Sequence, residues 1–323
     1  MAYRAGPSHR PPRTTRQLDW TDMRAAFDKL YDQPYLLMPL TALMWACNFV
    51  VGSAIADQIP PLTLSFWRWT CAALLVTVIA WPQLKTHWPT IRANLGVLTF
   101  LSLTGTALFN ALQYVALTYT TAVAAAVINS TGPVLIAIFA FVIFGDRISR
   151  VQWVGIVVSF VGVLVIITRG DLSGLTGVFG SGLGELIMLT AMAMVGIYAV
   201  FLRKKPDLPP LPFMAVLATI ASVVNLPLML GEWAAARTMT VSLESVAAIA
   251  YVATFPSLVA YIFFNRSIDL IGPARASIFL HLIPIFAGLI GAFVLDQPLA
   301  LFHAAGFVLI VSGVILVTRK PAA

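Results

Sequence analysis

Hydrophobic residues are gathered into ten long runs that short polar stretches separate. Each run approaches the roughly 20 apolar residues that a helix needs to cross the hydrocarbon core of a bilayer. Lipid offers the backbone no hydrogen-bond partners, so such runs must form helices, and they are too long for barrel strands. The pattern predicts an all-α integral membrane protein with ten transmembrane helices, at residues 35–56, 62–82, 95–117, 121–144, 151–168, 183–202, 211–231, 246–264, 273–295 and 301–318.

Composition and charge agree with a membrane protein. Hydrophobic residues make up 59% of the 323 residues and charged ones only 10%, against about 25% charged in an average soluble domain. Cytoplasmic loops of membrane proteins carry an excess of Lys and Arg. Of the 20 Lys and Arg residues, sixteen fall in segments on the N-terminal side of the bilayer, and only Arg169 and Arg237 fall in loops on the other. The bias predicts that both termini are cytoplasmic.

The first 34 residues form a basic tail ahead of the first run. Four apolar residues in it, at three- and four-residue spacing, favour a short amphipathic helix over 19–31 on the cytoplasmic surface; they are Trp20, Met23, Phe27 and Leu30. The alternative for residues 19–31 is an unstructured tail. Residues 1–16, rich in Pro and Arg, are expected to be disordered.

A shift of 151 residues superimposes the second half of the chain on the first. The residues that coincide are Pro133 with Pro284, Gly155 with Gly306, and Gly162 with Gly313. Each half holds five runs, and an odd number returns the chain on the opposite side, so the second copy is predicted to be inverted. The predicted organisation is a tail at 1–34, a first repeat at 35–168, a linker at 169–182 and a second repeat at 183–320.

The stretch "LMWACNFVVG", which contains Trp45, and the Pro…Gly…Gly pattern in both halves resemble the drug/metabolite transporter superfamily. The chain is most similar to the EamA-type ten-helix exporters, and among them to amino-acid exporters of the YddG type. The resemblance covers residues 35–320. It implies a multi-pass protein of the bacterial inner membrane that exports amino acids, aromatic ones or a broad set, by alternating access through a cavity between the repeats.

Polar and aromatic residues share helix faces in several runs, since residues three and four apart lie on one face. An Asn–Tyr pair in the third run, Asn110 and Tyr114, is the repeat counterpart of Tyr261 and Asn265 in the eighth. A cavity of this kind suits a small, amphipathic, largely neutral ligand. The alternative is ordinary helix packing. The candidate substrate contacts on these faces are Trp45, Asn48, Asn110, Tyr114, Met188, Tyr198, Tyr251 and Tyr261.

His281 and Pro284 share a face of the ninth run with small residues, and Ser130 and Pro133 occupy the matching positions in the fourth. The prolines leave the carbonyls of Asn129 and Leu280 without helical donors, so they either kink packed helices or form gating elements that offer acceptors to a ligand. We include Asn129 and His281 among the candidate substrate contacts. The alternative for His281 is a packing role.

Two of the charged residues within the runs are further candidates for a functional role. Arg68, two turns into the second run, either binds a substrate carboxylate or snorkels outward to the bilayer surface. Glu185 begins the sixth run, where the helix dipole favours an anion; its alternative role is recognition of a proton or an ammonium group. If transport is coupled to protons, His281 or Glu185 should carry the coupling.

The sequence contains neither a GxxxxGK[ST] nucleotide motif nor an HExxH metal motif. We therefore expect a transporter, not an enzyme, with no cofactor, no metal and no nucleic acid, whose partners are a small-molecule substrate and membrane lipids. The oligomeric state stays open, and a monomer is one possibility. The alternatives are an exporter of another metabolite or drug-like amphiphile, or an intramembrane enzyme or scaffold.

The predicted topology can be tested with single cysteines and a membrane-impermeant thiol reagent. Cysteines placed within 203–210 should react only from the cytoplasmic side, and those within 232–243 only from outside, because of the charge bias. Reversed labelling would contradict both the orientation and the inverted repeat.

Overall fold

The computed structural model describes residues 31–55, 57–120, 125, 128–168, 170–171, 182–294 and 301–318. All regular structure within these ranges is helical, which confirms the predicted all-α class. The predicted amphipathic helix at 19–31 falls outside the described residues except for Tyr31, and so does most of the predicted linker.

The helices follow the apolar runs. They are α1 (Pro34–Ala54), α2 (Pro61–Ala93), α3 (Leu95–Ala116), α4 (Gly132–Phe144), α5 (Arg150–Ile167), α6 (Leu183–Phe201), α7 (Pro210–Ala234), α8 (Leu243–Ile271), α9 (Pro273–Ser277, Ile278–His281 and Leu282–Val294 in succession) and α10 (Leu301–Thr318). Seven of them are long and apolar enough to cross a membrane, while α4, α5 and α10 are shorter apolar helices. The fold is that of a multi-pass membrane protein; crossing by all ten helices and the side of the termini stay predictions.

The second helix extends well past the predicted run at 62–82. It has 33 residues, which at 1.5 Å per residue is about 50 Å, against about 30 Å of hydrocarbon. The excess follows Pro82 and is polar, with Gln83, Lys85 and Arg92 exposed. Hydropathy therefore located the membrane part of α2 but not its end, because a helix continues wherever its backbone bonds are satisfied.

Two long helices change their hydrogen-bonding register midway. A π-turn occupies Leu103–Ala107 in α3, and another occupies Phe255–Val259 in α8. The two positions correspond under the 151-residue shift to within one residue. Such turns release backbone groups from the regular ladder and recur at functional sites. In α8 the cause is visible, since Pro256 has no backbone N–H to donate.

Both prolines of the repeated pattern follow an interruption of their helix. Ser130 and Thr131 form a turn just before α4 begins, and Pro133 stands in its first turn. In α9 the segment Ile278–His281 has 3₁₀ geometry and Pro284 follows it. A proline near a helix start is tolerated because the N–H that it lacks would have no helical partner there.

Helices α5 and α10 pack closely through glycines. A Cβ placed on Gly155 would lie 2.8 Å from the carbonyl oxygen of Gly313, and one on Gly162 would lie 2.8 Å from that of Gly306. Small residues allow membrane helices to approach this closely. The contact is crosswise, so each glycine of one repeat meets the non-equivalent glycine of the other.

Replacing Gly313 by leucine should lower the folded yield and the melting temperature, because the new side chain would overlap Gly155 and Ser159 across the α5–α10 contact. Overpacking of this kind costs about 1–3 kcal/mol. Yield by size-exclusion chromatography and thermal unfolding in detergent measure the effect. Gly231→Leu is the matched control, since open space surrounds Gly231. A Gly313→Leu protein that folds normally yet loses substrate binding would place these helices at the substrate site instead.

Candidate functional site

A buried arginine lies between α2, α3 and α8. Arg68 is 2% exposed. Its Nε donates to the Ser257 hydroxyl at 2.5 Å, Nη1 to the Tyr114 hydroxyl at 3.0 Å and Nη2 to the Pro256 carbonyl at 3.4 Å. The side chain therefore points into the bundle and does not snorkel. All three partners are neutral, and among the described residues no carboxylate lies within ion-pair distance of Arg68.

The π-turn of α8 supplies two of these partners. The Pro256 carbonyl also accepts the indole N–H of Trp45 at 2.9 Å, and the Ser257 hydroxyl donates to the Val252 carbonyl at 2.6 Å. A π-turn releases backbone carbonyls from the helical hydrogen-bond ladder. The Pro256 carbonyl can therefore accept hydrogen bonds from α1 and from α2 at the same place. The turn thus determines where both Trp45 and Arg68 are held.

Aromatic rings fill the centre of the bundle around Tyr261. Its ring centroid lies 5.6 Å from that of Trp45, 5.6 Å from that of Trp69 and 6.3 Å from that of Tyr198, all with edge-on geometry. Trp69, Tyr198 and Tyr261 are all buried. Edge-on pairs are favourable beyond their area alone, so the rings close the middle of the molecule in this conformation.

Polar groups attach this aromatic cluster to the π-turn of α3. The Tyr261 hydroxyl donates to the Gly105 carbonyl at 2.5 Å, and Asn110 Nδ2 lies 3.4 Å from the same hydroxyl. Asn110 and Tyr261 are repeat counterparts, so this hydrogen bond joins the two halves. A Cβ on Gly105 would overlap the Tyr198 ring, so a glycine is required here. Asn110, Tyr198 and Tyr261 are three of the predicted substrate contacts, and the structure brings them together.

One end of the bundle carries ion pairs; we call it the inner end, defined by residues 145–149, 202–209 and 269–273 and predicted to be cytoplasmic. Arg203 pairs with Asp146 at 2.5 Å and Lys205 with Asp269 at 2.7 Å, while Arg266 pairs with Asp32. Hydrogen bonds from Arg203 hold the pKa of the Asp146 carboxyl below its usual value, so this carboxylate stays ionised at neutral pH.

A cavity of about 420 Å³ opens at the inner end, and we call it the vestibule. Its charged lining is Asp146, Arg203 and Asp269, and its remaining lining is Ala199, Val200, Ile268, Gly272 and Pro273. Towards the centre of the bundle, the Tyr198 hydroxyl donates to Asn265 Oδ1 at 2.8 Å. This hydrogen bond joins α6 to α8 one turn away from the vestibule walls.

The opposite end, defined by residues 55–60 and 235–242, is held by hydrogen bonds of one glutamine; we call it the outer end. The side-chain oxygen of Gln58 accepts from Ser242 at 2.8 Å and Ser245 at 3.0 Å, and its nitrogen donates to Glu244 at 3.0 Å. The Gln58 carbonyl accepts the backbone N–H of Thr240 at 2.9 Å. One glutamine thus fastens the α1–α2 loop to the start of α8.

A buried carboxylate reinforces the same end. Glu232 of α7 accepts the backbone N–H groups of Leu62 at 3.0 Å and Thr63 at 2.7 Å. These N–H groups belong to the first turn of α2, where no helical acceptor exists and the helix dipole favours an anion. Glu232, which belongs to α7, therefore caps the N-terminus of α2.

Three further predicted substrate contacts, Tyr251, Asn48 and Met188, have the following surroundings. The Tyr251 hydroxyl donates to the Met44 carbonyl at 3.3 Å and its ring stacks on Phe255. Asn48 is half-buried, and its Oδ1 has no partner among the described residues. Met188 is buried in the main apolar core.

His281 lies apart from Arg68, where α4 and α9 meet. Its Nε2 is 2.9 Å from the Ser130 carbonyl and its Nδ1 is 2.6 Å from the Ser159 hydroxyl. Both ring nitrogens thus have protein partners in this conformation, so the predicted substrate contact would require the helices to move. Ser130 is its repeat counterpart, and the half-buried Asn129 adjoins it.

Glu185 lies in the first turn of α6, as predicted, and accepts a hydrogen bond from Thr120 at 2.6 Å. A Cβ on the neighbouring Gly184 would overlap the backbone at Thr120, so the α3 end packs closely here. The predicted roles of Glu185 and His281 in coupling stay predictions. Within the described ranges no group of three His, Cys, Asp or Glu side chains could hold a metal ion.

Sequence reasoning missed several residues that hold the site together. Pro256 and Ser257 stand in an apolar run, and a proline in mid-run was the signal that could have identified them. Trp69 is fully buried, and its position within an apolar run does not distinguish a core residue from a lipid-facing one. Gln58 lies in a loop with no pattern, so its role depends on tertiary structure that the sequence does not display.

Comparisons with known proteins identify the family. The sequence signature of the EamA-like transporter family matches residues 33–168 and again 182–319. The chain is 28% identical to the uncharacterized transporter YyaM of Bacillus subtilis, over 87% of this chain and 92% of that one. It is 27% identical to an uncharacterized transporter of Archaeoglobus fulgidus, over 88% and 97%.

A further relative is the uncharacterized inner membrane transporter YedA of Escherichia coli K12, which is 26% identical over 87% of this chain and 91% of its own length. One protein crystal structure matches the fold with a TM-score of 0.70 at 16% identity, covering 88% of this chain and 96% of that one. With apolar helices that can cross a bilayer and relatives of this kind, the chain is a multi-pass protein of the inner membrane. It belongs to the EamA-like transporter family, within the drug/metabolite transporter superfamily, and is a membrane transporter.

Proposed function

We propose that this transporter exports small amphipathic metabolites that carry a carboxylate, with amino acids, aromatic ones or a broad set, as its main substrates. The observation that carries the proposal is Arg68, a buried cation with three neutral partners. An ionisable residue within a membrane span is costly, so it is by default a candidate for a functional role such as a substrate pathway.

The energetic reason is that a buried charge is costly unless an opposite charge accompanies it. The hydroxyls of Ser257 and Tyr114 solvate the guanidinium only in part, and a planar guanidinium is suited to bind a carboxylate through two parallel hydrogen bonds. A substrate carboxylate would complete the pairing that the described residues lack.

The surroundings fit the rest of an amino acid. Trp45 and Tyr261, which lie against one another beside Arg68, offer ring surfaces for an apolar side chain. For the ammonium group, the Asn48 Oδ1 atom, one helical turn from Trp45, is an acceptor without a partner. Burying either charged end of a zwitterion without such partners would be prohibitive.

A phosphate-bearing substrate is disfavoured on the same ground. Arg68 is the only Lys or Arg among the buried residues of the described ranges. Recognition of a dianionic phosphate normally uses several cations, whereas a single carboxylate needs one.

Alternating access is the proposed mechanism, because the substrate site lies between closures at different depths. Aromatic rings fill the centre, hydrogen bonds of Gln58 fasten the outer end, and the Tyr198–Asn265 hydrogen bond joins α6 to α8 towards the inner end. A substrate can pass only if these closures open in turn. An intramembrane enzyme or scaffold would show no substrate-dependent flux in proteoliposomes.

The role of Arg68 can be tested by counterflow in proteoliposomes across the twenty amino acids, with each transported substrate compared with its carboxamide. The wild type should prefer the acid. Arg68→Gln should lose flux at least about tenfold and lose the preference, because a charge-assisted hydrogen bond is removed. Arg68→Lys should keep the preference at reduced flux, since an ammonium lacks the planar fork.

Arg92→Gln is the matched control, because Arg92 belongs to the same helix but is exposed. The ratio of acid flux to amide flux does not depend on how much protein folds. If Arg68→Gln keeps both the flux and the ratio, Arg68 does not bind the carboxylate.

The outer closure makes a separate prediction. Gln58→Ala should open the outer end more often, because the three hydrogen bonds of its side chain are lost at once. In a Cys71→Ser background, the half-buried Cys47 beside Tyr251 should then react with an impermeant maleimide from outside about tenfold faster, the change expected for about 1.4 kcal/mol.

Gln83→Ala serves as the control, since Gln83 is an exposed glutamine at the other end of α2. An unchanged rate for Cys47 in a folded Gln58→Ala protein would show that Gln58 does not hold the outer end shut.

A further inference from the structure

We infer that the vestibule at the inner end is a separate, first binding site for the charged end of a zwitterionic substrate, in which the carboxylates of Asp269 and Asp146 receive the ammonium group and Arg203 receives the carboxylate. This inference rests on the proposed function and adds a second site to it. It concerns a cavity outside the region of Arg68, lined by residues that the sequence did not single out.

The size of the vestibule suits a molecule of amino-acid size. Its volume of about 420 Å³ falls within the range of small-molecule sites. Opposite charges line one cavity, with Arg203 at the end of α6 and Asp269 near the end of α8. Val200, Ile268 and Pro273 provide apolar surface beside them, so the lining is amphipathic, as the ligand would be.

The charges in the vestibule can exchange partners at low cost. The side chains of Arg203 and Asp146 are 32% and 41% exposed, and those of Lys205 and Asp269 are 24% and 31% exposed. Ion pairs this accessible to water contribute little to stability. A zwitterion can therefore replace the internal partners. Its ammonium group would pair with an aspartate carboxylate, and its carboxylate would pair with the Arg203 guanidinium.

The balance of charge selects the class of ligand. A simple amine would meet Arg203 as a like charge, and a simple acid would meet Asp146 and Asp269 as like charges. A molecule that carries an ammonium group and a carboxylate on the same carbon satisfies both walls at once. Like-charge contacts of this kind are a common source of specificity.

The position of the vestibule connects it to the central site. Ile268 lies one turn beyond Asn265 in α8, and Ala199 directly follows Tyr198 in α6. The Tyr198–Asn265 hydrogen bond joins the same two helices next to these lining residues, and the Tyr198 ring contacts that of Tyr261. We place the route from the vestibule to the aromatic centre along this α6–α8 contact.

The test uses the full chain in proteoliposomes of defined orientation, with transport measured separately from the inner and outer faces for an amino acid that the wild type transports. Asp269→Asn should raise the KM from the inner face about tenfold, since a charge-assisted contact is weakened, and should leave the maximal rate unchanged. The KM from the outer face should not change. Asp207→Asn is the matched control, an exposed aspartate at the same end that does not line the vestibule.

A purely structural role for the Lys205–Asp269 pair predicts something else. In the double variant Lys205→Asp/Asp269→Lys the pair is restored with reversed polarity, so a structural role predicts recovery of the wild-type KM, whereas a binding role predicts none. Recovery, or an unchanged inner-face KM for Asp269→Asn, would overturn the inference and leave the proposed function intact. Absence of any amino-acid flux in the wild type would instead overturn the proposed function, and this inference with it.

Discussion

Inside a bilayer every backbone carbonyl that leaves the helical ladder must find a donor elsewhere, and this constraint organises the centre of the transporter. The carbonyls of Gly105 and Pro256 lie in the two π-turns, and side chains from other helices bond to both. Tyr261 satisfies the first, and Trp45 and Arg68 satisfy the second. The interrupted helices therefore position the aromatic and cationic groups and are not defects that the fold merely tolerates.

The internal repeat explains why the two halves meet where they do. Asn110 approaches Tyr261, and His281 approaches the Ser130 carbonyl; in both cases the partners are separated by 151 positions. Near an axis that relates two similar units, a residue and its counterpart are neighbours. The glycine contacts between α5 and α10 obey the same relation in crosswise form. A repeated sequence thus yields contacts in matched sets, and a change on one side of the axis alters the packing on the other.

Hydrophobic runs were sufficient to predict the helical membrane fold, and helix faces were sufficient to predict that Asn110, Tyr198 and Tyr261 lie together in the interior. Polarity along a run fixes which face is buried, because an amide or hydroxyl avoids lipid. The same reasoning could not foresee the π-turns, which change hydrogen bonding by one position without changing composition. It could not choose between two directions for Arg68 either, since the outcome depends on acceptors contributed by α3 and α8. Gln58 was missed for a related reason, because its three side-chain partners come from a loop and a helix nearly 190 residues away.

The two ends of the bundle are closed by interactions of different character, and this difference bears on direction. The outer end depends on the hydrogen bonds of Gln58, one of which is accepted by the Glu244 carboxylate, and on the Glu232 cap of α2. The inner end depends on partly exposed ion pairs, whose charges remain solvated when they separate and can be replaced by the charges of a ligand. A zwitterion arriving from the inner side can therefore lower the cost of opening that end, because it supplies the charges that the opening removes. If the protein exports zwitterions as proposed, loading at the inner end is the step that these ion pairs would favour.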